Sequence, residues 1–169
     1  MSDIIINAFE FCHRNEKLKD QVAVADLPRL NSICANGQGN LEWRLEGSIG
    51  KEGHPQLNLE VFGKLELVCQ RCMESLAYEI DSQAIIMLAK DEKTADEIEI
   101  WLGNENPVEV IVGEERQDVL VLVEDEVLLS MPLSPMHENC QNLSKKKNDE
   151  NFQSPFAILG ELKKNNKKQ

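Results

Sequence analysis

Apolar and polar residues alternate most regularly over residues 41–89. Leu41, Trp43, Leu45, Gly47 and Ile49 fall on one side of an extended chain, and Glu42, Arg44, Glu46 and Ser48 on the other, which predicts a half-buried strand. Gly50-Lys-Glu-Gly-His-Pro55 supplies turn chemistry, after which Leu57, Leu59 and Val61 resume the alternation and Phe62, Leu65 and Leu67 carry it to Cys69. Leu76, Tyr78, Ile80 and the apolar run 84–88 predict a returning strand. The whole stretch therefore reads as an antiparallel meander.

The flanks are less regular. Residues 4–19 open apolar and then mix Phe9, Phe11 and Leu18 with charges, as a strand followed by a helical turn would, and 21–25 alternate only weakly. Asp26-Leu-Pro-Arg-Leu30 has the form of a helix start, with Asp26 as cap and Pro28 in the first turn, and Asn36-Gly-Gln-Gly39 as its stop. Residues 90–99, with Asp91, Glu92, Asp96 and Glu97, read as a solvated connector, and Pro107-Val-Glu-Val-Ile-Val-Gly113 as a further strand. Residues 118–131 predict a helix with Asp118 as cap, Pro132 just past its end, and an apolar side of Val119, Leu122, Val123, Val127, Leu128 and Leu129. Glu124-Asp125-Glu126 interrupts that side. Beyond Pro135, Ser144-Lys-Lys-Lys-Asn-Asp-Glu-Asn is a linker without apolar periodicity. Ser154-Pro155 then begins a short helix over 155–164, with Phe156, Ile158, Leu159 and Leu162 on its apolar side. These elements add up to an α+β protein: a mainly antiparallel sheet or partly closed barrel with a few packed helices. We expect one domain over 1–140 and a basic, flexible tail over 141–169.

Composition changes this picture in two places. The chain has 169 residues, room for one domain with a real core, and only 5% aromatic residues, so packing leans on Leu, Ile and Val. Charge divides it: residues 1–144 carry a net −16 and residues 145–169 a net +4, for the total of −12. An acidic body repels phosphate backbones, whose binding draws on Lys and Arg. RNA contact is thus expected from the tail, and a basic protein partner for the body. The N-terminal sequence lacks the charge and apolar pattern of an export signal, and the longest nearly unbroken apolar run, 119–123, is far below the ~20 residues that cross a bilayer. Five cysteines, an odd set, argue against a disulfide framework. A cytoplasmic protein without membrane attachment is the expectation.

Cys69-Gln-Arg-Cys72 lies between two predicted strands, where two thiolates can face one metal ion from a tight turn. His137 and Cys140 would complete a Cys3His set suited to one structural zinc. Closing the intervening 64 residues costs only about 4 kcal/mol beyond a constant, against the ~10–16 kcal/mol of a structural zinc. The alternative is that Cys69 and Cys72 are reduced thiols and that His137 and Cys140 are incidental loop residues. A redox pair fits less well, because thioredoxin-like motifs open a helix. No Gly-x-Ser-x-Gly elbow, phosphate-binding glycine loop or His-Glu-x-x-His pattern occurs, so no catalytic residues are assigned and the protein is expected not to be an enzyme. Glu124, Asp125 and Glu126 on a helix point in different directions, which favours a solvated face over a magnesium site.

Four separated motifs, in order, resemble one family. Leu67-Val-Cys-Gln-Arg-Cys-Met73, Val123-Glu-Asp-Glu-Val-Leu-Leu-Ser-Met-Pro132, the loop with His137 and Cys140, and Ser154-Pro-Phe-Ala-Ile-Leu-Gly-Glu-Leu-Lys-Lys164 are similar to the YceD family of large ribosomal RNA subunit accumulation proteins. The resemblance implies a bacterial cytoplasmic, non-enzymatic factor that supports 23S rRNA accumulation and large-subunit assembly. Its Cys-x-Arg-Cys pair falls on Cys69, Arg71 and Cys72, and its acidic helix motif on Glu124, Asp125 and Glu126; many relatives carry further cysteines after the helix, where this chain has only His137 and Cys140. The expected partners are a large-subunit ribosomal protein or assembly intermediate, met by Glu124, Asp125 and Glu126, and 23S rRNA, met by Arg71, Lys145, Lys146, Lys147, Lys163, Lys164, Lys167 and Lys168. The competing expectation is a zinc-dependent protein-interaction adaptor that acts on rRNA only indirectly.

Overall fold

The computed structural model describes residues 4–50, 53–103 and 108–140. Its centre is the meander that the alternation predicts. Strands β3 (Asn40–Ile49), β4 (Pro55–Val68) and β5 (Ser75–Ala89) pair antiparallel in sequence order, Trp43 opposite Val61 and Leu65 opposite Tyr78. Because side chains alternate across a strand, Leu41, Trp43, Leu45, Leu57, Leu59, Val61, Leu65 and Leu67 share one face and are all buried. Each fully buried aliphatic side chain of this kind stabilises the fold by about 1.5–3 kcal/mol before entropy is counted.

Three helices cover that face. Strand β1 (Ile5–Ile6) leads into α1 (Ala8–His13), whose Asn7 caps it by accepting the Glu10 amide at 3.1 Å. Helix α1 lies so close to β3 that a Cβ on Gly47 would sit 2.7 Å from both Cδ1 and the carbonyl oxygen of Phe11. Strand β2 (Lys17–Ala23) pairs with β3, and a single 3-10 turn (Val24–Asp26) leads to α2 (Pro28–Ile33). The third cover is α4 (Val119–Ser130), which follows β7 (Gln117–Asp118), the partner of β1. Asp118 caps α4 through the Leu120 amide at 2.9 Å, as its place before the apolar run predicts.

Two elements differ from their expected form. Residues 90–99 are not a connector: α3 (Glu92–Leu102) begins there, with the Asp91 carboxylate accepting both the amide and the hydroxyl of Thr94 at 2.8 Å. Only Ala95 and Ile98 of α3 are buried, so its apolar side is too narrow to show among the charges. Asp26 does not cap α2; it belongs to the preceding turn, Leu27 takes the capping position, and α2's first amides are satisfied from elsewhere. The α+β fold is the expected one: of the two forms foreseen the sheet takes the mainly antiparallel, open one, with strand order β2-β3-β4-β5-β6 and only its last pairing parallel. Strand β6 (Glu109–Val112) runs alongside β5 after the α3 crossover, a β-α-β unit that buries β5's end on both faces. Ile86 and Leu88 join the main core there, while Met87 and Ala89 pack with Ala95 and Ile98. Among the described residues no helix is long and apolar enough to cross a membrane.

Candidate metal centre

The antiparallel pairing of β4 with β5 brings the chain back on itself at residues 69–74, and the turn is tied from within. Cys69 donates its amide to the Glu74 carbonyl at 2.9 Å, Met73 donates to the Cys69 carbonyl at 2.9 Å, and Met73 takes a left-handed φ of 62°. The loop leaving α4 then crosses this turn. Pro132 ends the helix, and the Pro135 carbonyl accepts the Gln70 amide at 2.8 Å, which sets Met136 to Cys140 against the start of β5.

This crossing unites the four expected ligands. Cys69 Sγ, Cys72 Sγ, Cys140 Sγ and a ring nitrogen of His137 all lie within 4.8 Å of one another. Cys69 Sγ and Cys140 Sγ are 3.9 Å apart, and Cys72 Sγ and His137 Nδ1 3.4 Å. A tetrahedral zinc with bonds of ~2.3 Å to sulfur and ~2.1 Å to nitrogen requires ligand separations of about 3.5–3.8 Å. On the far side of the imidazole, Nε2 lies 3.1 Å from the Ser75 carbonyl, where it can donate and leave Nδ1 free to ligate. The donors come together without any cysteine beyond those described. Cys12 and Cys34 stand apart, and burial pushes both of their thiols up.

Electrostatics favours a cation here. Burial is the largest influence on the Cys69 thiol and raises its pKa, but the amides of Cys72, His137 and Arg71, joined by the Cys72 side chain, outweigh it and bring the value down to about 5. At Cys72 the Glu74 amide pulls downward, yet burial and the negative charge of Cys69 and Cys140 prevail, and its pKa is raised. One sulfur thus ionises readily and its neighbour resists. A divalent cation removes that conflict, and three sulfurs with one imidazole form a set soft enough for zinc. Four protein donors also leave no open position, the mark of a structural rather than a catalytic site.

The other candidates are distributed differently. Arg71 sits in the turn itself, its Nη2 3.7 Å from Met136 Sδ. Lys145, Lys146, Lys147, Lys163, Lys164, Lys167 and Lys168 lie outside the described residues. The acidic triplet does not form the single solvated face expected of it. Glu124 is only 3% exposed, and its carboxylate accepts the amides of Arg29 at 2.7 Å and Leu30 at 3.0 Å and the Arg29 Nε at 2.8 Å. It is therefore the missing cap of α2, supplied from α4. Asp125 pairs with the same guanidinium, and Glu126 accepts the Ser82 hydroxyl. Arg29 has no motif to mark it; the one hint is that Leu27, ahead of Pro28, cannot cap.

Comparison with known proteins gives one match. No curated protein and no solved structure matches the chain. The family model described as Large ribosomal RNA subunit accumulation protein YceD matches residues 57–163. That stretch takes in both pairs of the Cys3His set, helix α4 and more than half of the sequence. The chain therefore belongs to the YceD family, whose description ties it to accumulation of the large-subunit ribosomal RNA.

Proposed function

We propose that this protein is a non-enzymatic cytoplasmic factor supporting 23S rRNA accumulation and large-subunit assembly, acting by binding an assembly intermediate. The observation that carries this reading, beyond family membership, is the division of charge: net −16 over residues 1–144 and +4 over 145–169. The acidic body suits a basic ribosomal protein. On α4, Asp125 offers the exposed carboxylate, at 45% exposure, Glu126 stands beside Ser82, and Glu124 acts from inside by holding α2 in place. The tail lysines Lys145, Lys146, Lys147, Lys163, Lys164, Lys167 and Lys168, with Arg71, would meet rRNA phosphate.

Within this scheme Cys69, Cys72, Cys140 and His137 hold one zinc. The ion would supply a cross-link between the β4–β5 turn and the loop after α4. Arg71 projects from the cross-linked turn, so the metal would set where that cation stands.

A second reading is favoured by the same convergence of ligands: a zinc-dependent adaptor that contacts protein alone and affects rRNA indirectly. Co-sedimentation of the full chain with large-subunit precursor particles and with isolated 23S rRNA, across 50–200 mM salt, separates the two. Direct contact predicts rRNA binding that weakens by about 10³-fold or more over that range if six phosphates are neutralised. Absence of rRNA binding at low salt, with retention on particles, would replace the first reading by the second. Absence from precursor particles altogether would remove both.

A further inference from the structure

An apolar groove lies beside the proposed zinc turn. Ile33 at the end of α2, Leu67 and Val68 at the end of β4, and Met131, Leu133 and Pro135 after α4 line a groove of about 200 Å³. Among the described residues, Gln70 is the one polar side chain on its rim, and no charged group lines it. Leu133 is fully exposed, Ile33 is 46% exposed, and Leu129 on the adjoining turn of α4 is 71% exposed. Small-molecule pockets are commonly ~300–1,000 Å³ with a few convergent polar groups; this groove is smaller and has almost none. Its chemistry matches apolar side chains from a peptide segment.

We propose that the occupant is this chain's own C-terminal segment, residues 154–164, docked through Phe156, Leu159 and Leu162. Pro135 is part of the groove wall, so the chain leaves the described structure only five residues beyond it, at Cys140. The thirteen residues 141–153 reach about 45 Å when extended, more than the ~30 Å that twice the expected radius of gyration gives for a body of this size. Phe156, Leu159 and Leu162 recur every three residues and present one apolar side, as helix-in-groove ligands do. The segment belongs to the basic part of the chain, +4 over 145–169, while the body it would cover is −16. The family match spans residues 57–163, so Phe156, Leu159, Leu162 and every groove residue except Ile33 lie within it. Tethering does the rest: a linker of thirteen residues gives an effective concentration near ~1 mM, so a contact with an untethered Kd of ~0.1 mM is closed about ten times as often as open. This inference depends neither on the metal nor on the ribosomal reading.

Methyl-labelled full-length protein tests it. The Phe156 ring should show nuclear Overhauser contacts with methyl groups of Val68, Met131 or Leu133, independent of protein concentration. In F156A/L159A, paramagnetic relaxation of those methyls by a soluble probe should rise about tenfold, the open-to-closed ratio above, with metal content unchanged. The variant L133E, altered on the groove side and fully exposed, should detach the segment equally and guards against misreading a folding defect. Equal probe accessibility in wild type and F156A/L159A overturns the proposal. So do contacts of Phe156 with another surface, and contacts between differently labelled copies that grow with concentration, which would make a second copy the occupant.

Discussion

A carboxylate taken out of water must recover its hydrogen bonds from protein or it destabilises the fold. Glu124 recovers them from two amides of α2 and one guanidinium nitrogen. Removing it leaves two α2 amides without a partner beside the core, while the half-exposed Arg29 can return to water, and Glu124→Ala should cost about 1–3 kcal/mol in urea denaturation, the scale of a lost helix cap and a stranded buried donor. Asp125 binds the same arginine from a half-exposed position, so solvent screening leaves it little: Asp125→Ala should cost under ~1 kcal/mol in the same measurement. Near-equal losses from the two would contradict the burial argument. The contrast could not be read from Glu124-Asp125-Glu126, because three adjacent carboxylates look alike until α2 is packed against one of them.

At the scale of elements, legibility follows how far each segment's sequence controls its own burial. The meander is readable because one face is buried and the period is two, and α4 because Asp118, an apolar run and Pro132 bracket it. Strand β2 is not, since residues 17–21 are exposed at the sheet edge and only the pairing of Lys17 with Glu46 through Ala23 with Asn40 extends it. Helix α3 owes its start to one cap. The Asp91 carboxyl is held below its usual range, first by the Thr94 amide and then by the Thr94 hydroxyl. An acid with a lowered folded pKa gives its full stabilisation above its unfolded value and loses it as pH falls through the folded one. Amide exchange in α3's first turn, corrected for intrinsic rates, should therefore be pH-independent near neutrality, rise below about pH 4, and be permanently raised in Asp91→Ala; an unchanged first turn in that variant would deny the cap its role. The seat of α1 is a second case. A methyl at Gly47 meets the Phe11 carbonyl oxygen at 2.7 Å and the Cys12 Cα at 2.9 Å, backbone atoms that cannot swing aside, so Gly47→Ala should cost about 1–3 kcal/mol by chemical denaturation.

Across the whole molecule, the four ligands close the longest loop that matters to the site. The sequence supplied their identities, because Cys-x-x-Cys between strands and His-x-x-Cys after a helix are both recognisable spacings; what it could not supply was the crossing of the post-α4 loop over the β4–β5 turn, which rests on one backbone bond from Gln70 to Pro135 and on the way α4 lies across the sheet. A zinc held there would fasten the last described segment to the sheet. Cys69→Ser should then lose near-stoichiometric zinc by elemental analysis and render residues 131–140 more susceptible to proteolysis, while the meander, whose core lies elsewhere, stays folded. Acid gives an independent check whose sign is fixed. The Cys69 pKa is lowered from 9.0 to about 5, so its thiolate is available at neutral pH; what it contributes to stability is complete above 9 and is lost as pH falls through 5, and what it contributes to metal affinity is lost only near 5 and below. Bound zinc competes with that proton and can only move its own release lower. Titrated in the presence of a chromogenic chelator, the metal should remain bound at pH 7 and be released at or below about pH 5; release already at neutral pH would mean that the Cys69 thiolate does not set the affinity and that the proton on Cys72, whose pKa is raised, does.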